Sequence, residues 1–307
     1  MLAYSLRRLG GAIPTLFVVM TVTFFMMRLA PGGPFDRERM LAPAVEANIK
    51  KAYNLDQPLV VQYGLYLSKA LRGDLGPSFK YQDYTVVELI SSGFPVSFEI
   101  GITAILLALL VGGGLGIFAA LRQNSGIDHA VMATAMIGIT VPNFVMAPLM
   151  TLVLGVYLRL LPVGGYSGGS LRNLILPTVA LALPPVAYIA RLTRASMIEV
   201  LRSNYIRTAR AKGLPGRLVV GRHALRAALL PVVSYLGPTI AGIITGSVVI
   251  ETIFGIPGIG RYFVQGALNR DYTLVMGVVI FYGALIILLN LLVDLIYGVL
   301  DPKIRYD

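Results

Sequence analysis

The sequence predicts an all-α membrane protein with six transmembrane helices, cytoplasmic N- and C-termini, and a small extracytoplasmic helical insertion between helices 1 and 2. Three observations predict it. Charged residues make up only 13% of the 307 residues, about half the roughly 25% of ordinary globular domains. Uncharged, mostly apolar runs of 18 residues or more recur along the chain. Lys and Arg gather in alternate connections between those runs. A helix rises 1.5 Å per residue, so about 20 residues cross a hydrocarbon core of roughly 30 Å. Barrel strands would need only about ten residues each and would alternate in polarity, which these runs do not.

The first run, Leu9–Met27, follows Arg7 and Arg8. It is longer than the 7–15 apolar residues of a signal peptide and lacks a small-x-small cleavage pattern, so a retained helix is expected. Residues 28–99 carry eight basic and eight acidic side chains. Within them Val45, Ile49, Ala52 and Tyr53 share one helical face, and Val60, Tyr63, Leu67 and Leu71 share another. Two short amphipathic helices forming a folded cap are therefore expected, the second opened by Pro58.

The second run, Ile100–Leu121, contains Gly112 and Gly116, a small-xxx-small pair that lets helices approach closely. Ala130–Leu158 contains Pro142 and Pro148, and Asn173–Ala190 contains Pro177, Pro184 and Pro185, where kinks are expected. Ala227–Ile250 holds Pro238 and a second glycine pair. Its residues Thr239, Gly242, Thr245, Gly246 and Ser247 make a mildly polar stripe, the best candidate for the wall of a translocation path. Tyr272–Val293 is the sixth run.

Orientation follows from basic residues in short loops. With the N-terminus inside, the cytoplasmic segments hold fourteen Lys and Arg, nine of them between Arg191 and Arg226. The short outer loops hold four. The chain reads as one transmembrane domain over residues 1–307, with 28–99 an outer insertion and 191–230 a cytoplasmic loop.

Several functions are disfavoured. There is no cysteine for disulfide or thiolate chemistry, and His129 and His223 stand apart from each other. None of the six lysines follows a glycine, so no GxxxxGK[ST] phosphate loop exists. Acids are nearly absent from the runs, with Glu251 and Asp294 near their ends, which counts against a self-powered secondary carrier. A channel or carrier for small polar solutes is the rival reading. One basic loop is a poor footprint for nucleic acid, while its attraction to anionic membrane lipid is real.

The basic loop contains a short helix with signals at both ends. Asn204 is expected to cap it, and Tyr205, Ile206, Arg207, Thr208, Ala209, Arg210, Ala211 and Lys212 carry no breaker. Gly213 ends it and Pro215 blocks its continuation. Two turns are unstable alone, so the helix needs a surface, with Tyr205, Ile206 and Ala209 as its apolar patch.

This segment, with TARAKGL, RHALRAALLP, GSVVIETIFGIPGIG and NRDY, resembles permease subunits of bacterial ABC importers of the peptide, dipeptide and nickel branch. MMRLAPGGP, GDLGPSFKY, SMIEVL and DPKIRY extend the resemblance to the B-type subunits over essentially the whole chain. It implies that Asn204–Gly213 is a coupling helix seated in a groove of an ATPase subunit. It also implies a second homologous permease, two ATP-binding subunits carrying ATP and Mg, and an extracytoplasmic peptide-binding protein that delivers peptide. The chain itself would bind no cofactor. Where the general family pattern has Glu-Ala-Ala, this sequence has Arg207, Thr208 and Ala209, so a capping box between Asn204 and position 207 is lost.

Overall fold

Proline placement and helix caps decide where the apolar runs become continuous helices. The computed structural model describes residues 2–29, 51 and 54–300. Its elements are α1 (Leu2–Leu29), α2 (Leu59–Ala70), α3 (Val86–Leu121), α4 (Gly126–Thr140) and α5 (Asn143–Met150), which runs on as a π-helical stretch, Thr151–Tyr157. Then come α6 (Leu171–Leu201), α7 (Asn204–Ala211), α8 (Gly216–Leu218), a second π-helical stretch (Val219–Ala224) and α9 (Leu225–Ala228). The chain continues through α10 (Leu230–Gly246), α11 (Val248–Phe254), α12 (Ile259–Leu268) and α13 (Tyr272–Leu300).

Among the described residues four helices are singly long and apolar enough to cross a membrane: Gly10–Leu29, Val86–Leu121, Leu171–Leu201 and Tyr272–Val293. The expected third and fifth spans are not straight. Gly126–Thr140 and Asn143–Tyr157 meet at 105°, and Gly216–Ala228 and Leu230–Thr245 meet at 48°, so six spans result only if each bent pair counts as one. The sharper bend lies at Pro142, which forces Val141 into extended backbone with φ −91 and ψ 118. Pro177, Pro184 and Pro185 leave α6 unbroken.

α3 starts well before its uncharged run, inside the segment expected to be loop. Thr85 Oγ1 accepts the Glu88 amide at 3.2 Å and the Glu88 carboxylate accepts the Thr85 amide at 2.8 Å, a reciprocal capping box. The main core joins α3, α6, α10 and α11 through Ile100, Ala104, Leu176, Ala180, Ile243, Ile250 and Phe254. Gly112 and Gly116 are required where α3 crosses α6: a Cβ on either would lie 2.6 Å from a carbonyl oxygen, of Val186 and Ala190 respectively. Gly242 has open space around its Cβ position, so it makes no such close approach within the chain.

α1 packs at the edge, against α13 and α2. Only part of the expected apolar face of α2 packs: Tyr63 and Leu67 are half-buried, but its two ends are not. Gln62 is buried, and Tyr63 and Tyr66 pack around Phe24, whereas Val60 is 75% and Leu71 79% exposed. Aromatic packing and the hydrogen bonds of Gln62 outweigh the aliphatic spacing. The other expected amphipathic helix, with Val45, Ile49, Ala52 and Tyr53, lies outside the described residues.

Candidate functional site

One end of the bundle carries α7 and most of the exposed basic side chains; it is built outward from the end of α6. Ser203 Oγ donates to the Val200 carbonyl at 2.6 Å, closing α6, and the Ser203 carbonyl accepts the Arg207 amide at 3.2 Å, opening α7. Ser203 therefore occupies the N-cap position, with no side-chain cap bond, and Asn204 is the first helical residue. This corrects the expected cap. Its consequence is that the third helical position is Ile206, so Arg207 does not stand where a capping box would need a carboxylate.

The C-terminus behaves as expected. Gly213 has φ +78, its amide donates to the Arg210 carbonyl at 2.9 Å, and the Leu214 amide donates to the Ala209 carbonyl at 3.3 Å. These paired bonds form a Schellman motif, which requires a left-handed residue at 213. Leu214 folds back onto the same cluster as Ile206 and Ala209.

The apolar patch of α7 divides. Ile206 is fully buried and Ala209 nearly so, in a cluster with Ala120 of α3, Met197 of α6, and Val219, Ala224 and Ala228. Burying one such isoleucine contributes about 1.5–3 kcal/mol, which holds this short helix on its own domain. Tyr205 is instead exposed, together with Asn204, Arg207, Thr208, Arg210, Ala211, Lys212 and Gly213. Thr208 Oγ1 is satisfied by the Asn204 carbonyl at 3.0 Å. The outward face is thus a rigid polar and basic ledge bearing one aromatic ring.

A buried ion pair stiffens its support. Asp128 accepts from Arg194 Nε and Nη2, both at 2.6 Å, and from the Asn124 amide at 2.9 Å. The pair ties the α3–α4 turn to α6, three turns before α7. Arg202 adds a 3.1 Å bond to Gln123 in the same turn.

On α10, Ser234, Pro238 and Gly242 form an exposed stripe flanked by half-buried Thr239 and Thr245. Both threonine hydroxyls are held by carbonyls one turn back, of Tyr235 and Ala241. Gly246 ends the helix. Ser247 is fully buried and donates to Glu251, so it does not join the exposed stripe.

The sequence reading missed the buried acids. Besides Asp128, Glu251 and Asp271 are fully buried. Glu251 accepts from Ser97 Oγ at 2.7 Å, from Ser247 Oγ and from the Arg261 amide at 3.2 Å. A Cβ at Gly258 would fall on that carboxylate, and one at Gly260 would lie 2.6 Å from Val248 Cα, which explains the glycines of GIPGIG. Asp271 accepts the amides of Phe79, Lys80 and Leu274 at 3.1, 3.2 and 3.1 Å, and the hydroxyls of Ser78 and Thr273. All three carboxylates are saturated by fixed donors, an arrangement suited to fastening segments together and unlike a relay that exchanges protons. Only their partners, 66 to 193 residues away in sequence, reveal them.

A scan against family models matches residues 112–306 to the binding-protein-dependent transport system inner membrane component, and residues 1–100 to its N-terminal companion. The chain belongs to the binding-protein-dependent transport system inner membrane component family. This family is also reached through individual relatives. The oligopeptide transport system permease protein OppB of Salmonella typhimurium is 58% identical over 306 residues, covering 100% of both chains. OppB of Escherichia coli K12 is 57% identical over the same extent. The dipeptide transport system permease protein DppB of Bacillus subtilis is 47% identical over 99% of this chain and 98% of its own. Among solved structures, the inward-facing MetNI methionine ABC transporter aligns with TM-score 0.57 at 18% identity, over 70% of this chain and 97% of that one. That likeness shows a shared fold. Membership in this inner-membrane family, with four to six apolar spans, makes the chain a multi-pass inner-membrane transport subunit and not an enzyme.

Proposed function

We propose that this chain is the permease subunit of an ATP-driven importer that moves oligopeptides across the cytoplasmic membrane. It forms half of the translocation path, beside a second homologous permease, and takes its energy from two separate ATPase subunits binding ATP and Mg. The end carrying α7 faces the cytoplasm, as do both termini. An extracytoplasmic binding protein delivers the peptide to the opposite end. The observation that carries this reading is the full-length similarity to oligopeptide permeases, more than half the residues being identical.

The geometry of α7 fits the coupling role. A helix that transmits force must be anchored on one side and exposed on the other. Ile206 and Ala209 anchor it, while Tyr205, Arg207, Thr208, Arg210 and Lys212 are left to enter a groove on the ATPase. Asn204, Ala211 and Gly213 complete the docked segment. Thr239, Gly242, Thr245 and Gly246, with Ser234 added, form this chain's share of the path, and Ser247 is withdrawn from it.

Replacing Tyr205 by Ala and Arg207 by Glu together tests the docking face without touching its anchor. Uptake of labelled peptide by proteoliposomes holding the assembled complex should fall at least about tenfold, the scale expected when central aromatic and Arg contacts are lost. The ATPase should also co-purify poorly. Normal uptake with normal co-purification would refute the docking role.

A further inference from the structure

The end of the bundle opposite α7 holds a cavity of about 190 Å³ between the last turn of α1, α2, the loop around Asp74–Phe79 and the start of α13. Polar groups from Arg28, Asn54, Gln62, Tyr66, Lys69 and Asp74 line it. Arg28 is fixed there. Its guanidinium carbon lies 5.1 Å from the Phe24 ring centroid and 5.2 Å from that of Tyr272. Its Nη1 donates to Gln62 Oε1, and the Gln62 amide nitrogen donates to the carbonyls of Leu55 and Gln57 at 3.2 and 2.7 Å.

Held this way, Arg28 Nε is buried and finds no acceptor among the described residues; the buried Tyr66 hydroxyl is in the same position. A buried donor is costly to leave unmade, so two such donors in one cavity, with no acceptor among the described residues, point to a bound acceptor. Among the described residues the one lining carboxylate, Asp74, uses Oδ1 to accept the Gly76 amide at 2.8 Å. Two cations against one acid leave the described lining positive. The acceptor is therefore an anion.

Size and surroundings narrow its class. Pockets that enclose drug-sized ligands run to roughly 300–1,000 Å³, so this one suits a single compact group and not a peptide. Arg28 stands in the last turn of the apolar stretch Gly10–Leu29, at the level where lipid headgroups meet the hydrocarbon. Leu65 of α2 lines the cavity and is itself exposed. The positive cavity thus has an exposed apolar edge.

We propose that this cavity binds the phosphodiester of an anionic glycerophospholipid. Arg28 Nε, the Tyr66 hydroxyl and the Lys69 ammonium donate to the non-bridging oxygens, and the acyl chains leave past Leu65. A free phosphate shares the headgroup chemistry but has no use for the apolar edge. The site is distinct from the α7 ledge and from the α10 stripe.

The test uses the full complex in nanodiscs of phosphatidylethanolamine doped with photoactivatable phosphatidylglycerol. Crosslinked peptides are mapped by mass spectrometry. Labelling should concentrate on the end of α1 and on α2, and Arg28→Gln should lower it about fivefold, the scale of one basic residue against anionic lipid. Tyr66→Phe keeps the ring and its packing, so a fall in labelling there reports the hydroxyl and not misfolding. Excess inorganic phosphate should not compete. Competition by phosphate would replace the lipid with a free oxyanion. Labelling unchanged in both variants, or displaced by a crosslink from Lys69 to an acidic protein partner, would overturn the proposal.

Discussion

Asp128 shows how much a single buried carboxylate can organise. It is 1% exposed, and its partner Arg194 is 27% exposed, so one charge is taken from water while the other keeps some contact with it. Asp128→Asn leaves the shape but removes the charge that Arg194 is built around. The expected cost is about 3 kcal/mol, the lower edge of the range for a broken buried pair because Arg194 is partly hydrated. Thermal unfolding of the purified complex would show it. Adding Arg194→Gln to that variant should recover part of the loss, since the two residues act as one unit. If the double variant is worse than the sum of the single ones, the pair is not the coupled element described here. Gly258 carries a parallel lesson, because its lack of Cβ is set by a carboxylate seven positions earlier in the chain.

Among the elements, α7 has one face buried in its own domain and the other left exposed. Ala209 lies in the cluster with Ile206, Met197 and Val219, not on the outward ledge. Ala209→Glu would push a charge into that cluster, where an unpaired ion costs several kcal/mol. The expected outcome is a chain that accumulates poorly and unfolds early, with or without its ATPase. A variant that folds normally and loses only ATPase binding would place Ala209 on the docking face and contradict the packing. The ends of α7 were legible in the sequence to within one residue: Gly213 was right because a Schellman turn has few solutions, and the N-cap slipped from Asn204 to Ser203. Both residue types cap well, and only the bond from Ser203 to Val200 shows which one lies between the two helices. The spacing of Val60, Tyr63, Leu67 and Leu71 does not reveal that Gln62 faces inward, because that depends on Arg28 and two backbone carbonyls.

For the whole molecule, topology is the claim that joins every site, and the absence of cysteine makes it simple to test. Single cysteines at Arg207 and Asp83 would each stand on a background with no other thiol. An impermeant maleimide added to sealed spheroplasts should label Asp83→Cys at once and Arg207→Cys only after the membrane is opened. Labelling of both from the same side would invert or abolish the arrangement proposed here. The sequence by itself determined that the chain is helical and membrane-embedded, which regions carry the basic charge, and where α7 stops. Those properties depend on composition, run length and local backbone geometry, all of which are written in neighbouring residues. The kink at Pro142 is written in the sequence, whereas the tertiary structure alone decided the roles of Asp128, Glu251 and Asp271, and which face of α2 is inside. Each of these depends on groups far apart in the chain, and a buried charge or a crossing of helices has meaning only once its distant partner is in place.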